Sequence, residues 1–437
     1  MLEFLADSVI TPLLPPVLAL VGIMLYIKLK CFPIFKIRRI LSELFKENRS
    51  SSWQALAVAL GGTLGVGNIV GVAYAVTAGG AGALFWMWIS AFIAMIIKYA
   101  ETLLAIHYRR EEQTSTDKLR AFKRHIGGAM YYIPHRFFAS LFAILCIASS
   151  FTVGNLLQTK AVSDALYAGF SLSPYLTGIL LALLTYLVIR RGISRISNFC
   201  AVVIPFLSIV YLGMCAVVIF RNTDRLYPLL TQIFRDAFST KAIGGGIGGA
   251  LWIQAIKTGF SKGLITNEAG CGTAPIAHAS ADTDSGARQG LLGIIEVFFD
   301  TVILCTASGL VLLIALEKTP SLNGYALVAS AFETLFGKTA AILLPICIFF
   351  FVLATLVSWS YYGKCSLEYF TKSRVIGGLY LCLFSLVAFL GAIGSADIFW
   401  QLSDITLGLM TLINVSYLLY FQKEIATETE RFFQNKN

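Results

Sequence analysis

Eleven long apolar stretches, parted by short polar segments, fill most of this chain: 12–30, 54–78, 82–106, 137–160, 174–190, 199–220, 243–260, 288–316, 339–360, 374–394 and 398–421. About 20 apolar residues in a helix cross the hydrocarbon of a bilayer. Inside that hydrocarbon a chain must satisfy its own backbone hydrogen bonds, which a helix does. The sequence therefore specifies an all-α integral membrane protein, with the stretches numbered here as spans one to eleven. Charged residues make up only 13% of the 437 residues, where soluble domains carry about 25%.

The charges that remain are sorted. Of 34 Lys and Arg, 26 fall in alternate segments (28–53, 107–136, 190–197, 257–288, 361–374 and 422–437), seven in the other set, and Lys98 within a span. Basic residues collect on the cytoplasmic side, so the N-terminus is expected outside and the C-terminus inside a cytoplasmic membrane. Glu3 and Asp7 precede span one and Lys28 and Lys30 follow it, the reverse of a secretory signal. The net charge of +10 is thus a matter of topology and does not point to nucleic acid. The nine cysteines show no CxxC spacing and are read as small buried apolar side chains.

Within span two lies Gly61-Gly62-Thr63-Leu64-Gly65-Val66-Gly67-Asn68. Each glycine costs a helix about 1 kcal/mol against alanine, so four in seven residues predict a break. A break at membrane depth is tolerated where it faces protein, water or a ligand. Span seven, five spans on, carries Gly244-Gly245-Gly246-Ile247-Gly248-Gly249. An odd number of spans makes the second group of five run in the opposite direction. Paired glycine breaks in two inverted halves mark the binding site of a secondary transporter; the plainer alternative is close helix packing at small residues. The expected division is an extra helix and basic loop over 1–53, one five-helix repeat over 54–220, an inverted repeat over 221–421 and a cytoplasmic tail over 422–437.

Half-helix N-termini suit a carboxylate and half-helix C-termini a small cation. Thr63 and Asn68 add side-chain oxygens at the first break. Asn155 and Gln158 in span four are three apart and are expected to share a face, for substrate contact or for an interhelical hydrogen bond. Asp300, at mid-depth in span eight, suits a cation site or a structural network. Thr355 and Ser358 in span nine can face the break, or bond back to their own helix. Lys98 and Glu101 are expected to pair, and Glu296 to be partly solvated. The four histidines form no HExxH motif, and Gly65-Val66-Gly67-Asn68 is neither a Walker loop nor a dinucleotide fingerprint. The chain reads as a non-enzyme, and uphill transport by it must use an ion gradient.

Four stretches together resemble the alanine or glycine:cation symporter family. They are Leu64-Gly65-Val66-Gly67-Asn68-Ile69-Val70-Gly71-Val72-Ala73 with Gly79-Gly80-Ala81-Gly82-Ala83-Leu84-Phe85-Trp86-Met87-Trp88; Gly127-Gly128-Ala129-Met130-Tyr131-Tyr132-Ile133; Gly263-Leu264-Ile265-Thr266-Asn267-Glu268-Ala269-Gly270 running on to Ala274-Pro275-Ile276-Ala277 and Arg288-Gln289-Gly290; and Ser360-Tyr361-Tyr362-Gly363. The resemblance implies the inverted-repeat fold of the leucine-transporter superfamily. It also implies sodium-coupled symport of a small neutral amino acid, typically alanine or glycine. On that reading Gly61, Leu64, Asn68, Thr355, Ser358 and Asp300 serve Na+. Thr63, Val66, Gly67, Asn155, Gln158, Gly246 and Gly248 serve the amino acid. Asn267, Glu268, Lys98 and Glu101 make gating contacts, with 267–285 forming an elbow rather than the site. The family usually has Thr where Val66 stands and Ser where Ala354 stands. The remaining alternatives are a proton-coupled permease of the same fold, with Asp300 carrying the proton, or a channel. The expected partners are the amino acid, Na+ and the lipid bilayer, with the protein a monomer.

Overall fold

The computed structural model describes residues 10–45, 50–113, 123–238, 247–317, 319, 321–322 and 324–434. A helix stands at each of the eleven predicted spans. Seven described helices are long and apolar enough to cross a membrane, or eight when the bent pair Ser50–Thr63 and Val66–Gly79 is one span. Two shorter apolar helices, Pro12–Lys28 and Pro174–Ile189, match spans one and five. Span seven is the helix Ile247–Asn267. It runs past the predicted end at 260, so Lys257 and Lys262 lie on the helix and not in the following loop. One departure from all-α is a small antiparallel hairpin of Arg110–Gln113 and Lys123–Ile126 between spans three and four.

Span three, Gly82–His107, is the axis of the fold. Nearly every residue from Ile93 to Ile106 is buried, because spans seven and eight pack along it. The approach is close enough to exclude side chains. A Cβ on Gly259 would stand 2.2 Å from the Ala83 carbonyl oxygen. Small residues of this kind let membrane helices touch backbone to backbone. Span six shows the opposite habit: Val202, Phe206 and Ile209 recur at helical spacing and are exposed, which gives the helix an apolar stripe for lipid. Cys382 of span ten is exposed as well, contrary to the reading of its cysteine as buried.

Two helices contain π segments that the sequence does not announce. Thr152–Leu156 interrupts span four and Phe298–Cys305 interrupts span eight. An inserted residue of this kind turns the side chains that follow to a new direction, and π segments often mark functional positions.

Gly259→Ala should lower the melting temperature, since an overpacked helix contact costs about 1–3 kcal/mol. Gly213→Ala, where a Cβ meets nothing within 4 Å, should leave it unchanged or raise it. Thermal unfolding of the two purified variants beside wild type checks both.

Candidate substrate and ion site

Span two breaks where its glycines are. The helix Ser50–Thr63 ends, a single 3-10 turn covers Val66–Asn68, and the helix resumes over Val70–Gly79 at 66° to the first part. The backbone groups released by the break find partners within span two and on spans four and nine. The Gly65 N–H donates to Asn68 Oδ1 (3.2 Å) and the Val66 N–H to Gln158 Oε1 (3.2 Å). The Leu64 carbonyl accepts from Thr355 Oγ1 (3.4 Å). A Cβ on Gly65 would sit 2.8 Å from Gln158 Oε1 and 3.0 Å from Thr355 Oγ1, so the glycine is what lets spans four and nine reach the break.

Span nine lines the first half of span two. Below Thr355, Ser358 lies against Gly61 and Cys200. Trp359 Nε1 donates to the Gly62 carbonyl (3.3 Å) and Tyr362 Oη to the Val58 carbonyl (3.3 Å). Thr355 and Ser358 thus face span two as expected. Thr355 also bonds back to the Phe351 carbonyl (3.1 Å), so both of its readings hold at once. Trp359 was not singled out from sequence, although it stands one helical turn from Thr355, and Tyr362 entered only as part of the stretch Ser360–Gly363. Thr63 turns away from the break: its hydroxyl lies 3.4 Å from the carbonyls of Ala59 and Leu60, on its own helix.

Asn68 carries the break to span eight. Its amide donates to Asp300 Oδ1 (2.7 Å), and Asp300 Oδ2 accepts from Thr301 Oγ1 (2.8 Å). Thr301 Oγ1 in turn accepts from Asn267 Nδ2 (3.3 Å), which also donates to the Gly263 carbonyl (2.7 Å). All four side chains are buried. Because Asp300 and Thr301 lie in the π segment, adjacent residues reach two different helices.

The predicted break in span seven falls partly outside the described residues. Ile247, Gly248 and Gly249 lie within the helix, while Gly244, Gly245 and Gly246 lie outside the described residues. An interruption spans 268–273, where Glu268, Gly270 and Gly272 all have positive φ; the helix Ala274–His278 follows. A glutamate with φ of 51° is strained unless its surroundings hold it. Here Thr273 Oγ1 donates to Glu268 Oε2 (2.8 Å), the Gly272 N–H donates to Glu101 Oε2 (3.2 Å), and Asn414 Nδ2 donates to the Gly270 carbonyl (2.8 Å). Asn267 belongs to the network at the break, and neighbouring Thr266 lies against Gly67.

Three further expectations change. Asn155 and Gln158 do not share a face: Gln158 meets the break, while Asn155 Nδ2 donates to the Phe384 carbonyl on span ten (2.7 Å). The π segment ends between them and shifts the helical phase. Glu296 is fully buried rather than partly solvated. Lys98 has Glu296 as its nearer partner, at 3.3 Å against 3.9 Å to Glu101.

A cavity of about 480 Å³ opens at the Ser50 end of span two, lined by Gln54, Arg124, His125, Arg191, Ser360 and Lys364 among others. His125 is held below the usual histidine value, by burial and then by the nearby Arg109 guanidinium, against the pull of Glu111 and Asp282. The wall presented by this cavity is therefore cationic through Arg124, Arg191 and Lys364.

Two opposed helix interruptions joined through a buried carboxylate describe a carrier site. A family model described as the sodium:alanine symporter family matches residues 1–437. The chain belongs to that family. The Sodium/alanine symporter AgcS of Methanococcus maripaludis is 37% identical over 398 residues, covering 88% of this chain and 85% of its own. An uncharacterised transporter of Haemophilus influenzae is 35% identical over 425 residues, covering 94% and 91%. Among solved structures, MhsT in complex with L-phenylalanine superposes with a TM-score of 0.62 at 15% identity, covering 88% of this chain and 93% of that one. That likeness establishes the leucine-transporter-like fold. The protein is a multi-pass sodium-coupled amino-acid symporter by family, and not an enzyme.

Gln158→Leu removes the acceptor from the Val66 N–H and leaves a buried donor unpaired, a cost of about 1–3 kcal/mol. The expected outcome is a folded protein with at least a tenfold loss of amino-acid affinity. Radioligand binding to the purified variant checks it, and Asn155→Leu, on the far side of the same helix, should lose less.

Proposed function

We propose that this protein carries a small neutral amino acid of the alanine and glycine class into the cell together with Na+. The observation that carries this reading is the chain Asn68–Asp300–Thr301–Asn267, which ties the two interrupted helices to one buried carboxylate. Carbonyl and hydroxyl oxygens meet at Leu64 and Thr355, a donor set suited to an alkali cation. Na+ there, beside the Asp300 charge, orders the break. The ordered break, its Val66 N–H held by Gln158, then offers the Gly67 backbone and the Gln158 amide to the carboxylate of the amino acid, beside the Val66 side chain. Among the described residues no charged side chain bonds to the break apart from Asp300, which favours a neutral zwitterion over a charged amino acid.

The basic cavity serves as the inner vestibule. Its placement against spans two, six and nine fits alternating access, in which one helix group rocks against the other about the midplane site. The N-terminus lies outside and the C-terminus inside the cytoplasmic membrane, supported by the sorting of Lys and Arg. The division into inverted repeats at 54–220 and 221–421 places one interruption in each, and a single chain holds the whole site.

Purified protein in liposomes should accumulate alanine or glycine when Na+ is outside in excess, and should do so weakly when K+ replaces it. Uptake that ignores Na+ and follows an imposed pH gradient would make the protein a proton-coupled permease. Val66→Thr should change the ranking of amino acids, measured by competition against labelled alanine, because the added hydroxyl stands at the substrate end of the break. An unchanged ranking removes the Val66 side chain from the site.

A further inference from the structure

A second set of buried charges lies apart from the break in span two. Lys98 Nζ stands 3.3 Å from Glu296 Oε1 and 3.9 Å from Glu101 Oε1, and all three side chains are fully buried. Glu296 is engaged at both oxygens, since its Oε2 meets His278 Nε2 at 3.0 Å. His278 Nδ1 in turn meets Gln289 Nε2 at 2.9 Å, and Gln289 Nε2 also approaches the Ser52 carbonyl (3.5 Å), which fixes the imidazole against Glu296. Glu101 is held less closely. Its Oε2 accepts from the Gly272 N–H (3.2 Å) and Asn414 Nδ2 (2.9 Å), while its Oε1, which like Glu296 Oε1 has no hydrogen bond among the described residues, stands 3.9 Å from Lys98 Nζ against 3.3 Å for Glu296.

The elements packed around Glu101 supply these groups. Span three gives Lys98; the interruption gives Glu268 and Cys271; the following helix gives His278; span eight gives Glu296, with Asp300 one turn on and engaged by Asn68 and Thr301; span eleven gives Asn414, which also takes the hydroxyl of Tyr132. Three carboxylates, Glu101, Glu268 and Glu296, therefore crowd one buried space with Lys98. Uncompensated charge is costly there, and a carboxylate oxygen without a donor is where a proton offsets it.

We propose that Glu101 is an exchangeable proton site, separate from the Asn68–Asp300 network, and that its occupancy follows the position of the interruption in span seven. The link is the Gly272 N–H, which favours the carboxylate form. When the interruption moves and withdraws that N–H, Glu101 Oε1 takes a proton from bulk water and the side chain becomes a neutral acid. When the N–H returns, the O–H bond breaks and the proton goes back to water. Amino-acid transport by this protein is then modulated by pH through Glu101, whatever the coupled cation.

Infrared titration of the purified wild-type protein tests this without any transport assay. A buried carboxylic-acid C=O band that titrates with pH should be present, should vanish in Glu101→Gln, and should persist in Asp300→Asn. Asn414→Leu, which removes one donor to Glu101 Oε2, should move the midpoint of that band to higher pH by about one unit. Absence of the band in wild type, its survival in Glu101→Gln, or an unmoved midpoint in Asn414→Leu each overturns the proposal. In liposomes the pH dependence of uptake should flatten in Glu101→Gln; the wild-type profile in that variant counts against it equally.

Discussion

A helix opened inside a membrane must find partners for every backbone group it releases, and this structure is arranged around two such openings. In span two the released groups are met by Asn68, Gln158 and Thr355 from three different spans. In span seven they are met by Glu101 and Asn414. These partners are polar and buried. The same groups that make the openings tolerable are those a ligand or ion must displace or complete, so binding and helix geometry are coupled by construction.

Asp300 stands between the openings. Its two carboxylate oxygens serve different helices, one through Asn68 and one through Thr301 and Asn267. A cation that draws on this carboxylate changes the hold on both interrupted helices at once. That is the physical content of coupling in this protein: one buried charge shared by two movable elements.

Much of this was legible in the sequence. The spans followed from hydropathy, and the break at Gly61–Asn68 from glycine cost alone. Asp300 stood out because a carboxylate at mid-depth is expensive. The predicted break at Gly244–Gly249 falls partly outside the described residues, and the opening at 268–273 was not read as one because glycine content reports only a weak helix, not where a helix opens. The observed opening at 268–273 depends on Glu101 and Asn414, which lie 171 and 144 residues from their partners. No local pattern contains that. Asn155 and Gln158 were paired on one face by simple helical phase, and a π segment of five residues rotated them apart. Glu296 near a span end looked solvated, and the packing of spans three and eight buried it. Val66 holds the break through its backbone N–H while its side chain packs in the apolar core, so a change of that side chain leaves the hydrogen-bond network in place.

The most direct test of the account is the affinity of purified protein for labelled alanine, measured as Na+ replaces choline at constant ionic strength, in wild type and in Asn68→Ala. The account predicts that affinity rises at least tenfold with Na+ in wild type and that this rise is lost in a folded Asn68→Ala protein. Equal affinity in Na+ and choline, or an undiminished sodium effect without the Asn68 amide, would contradict it.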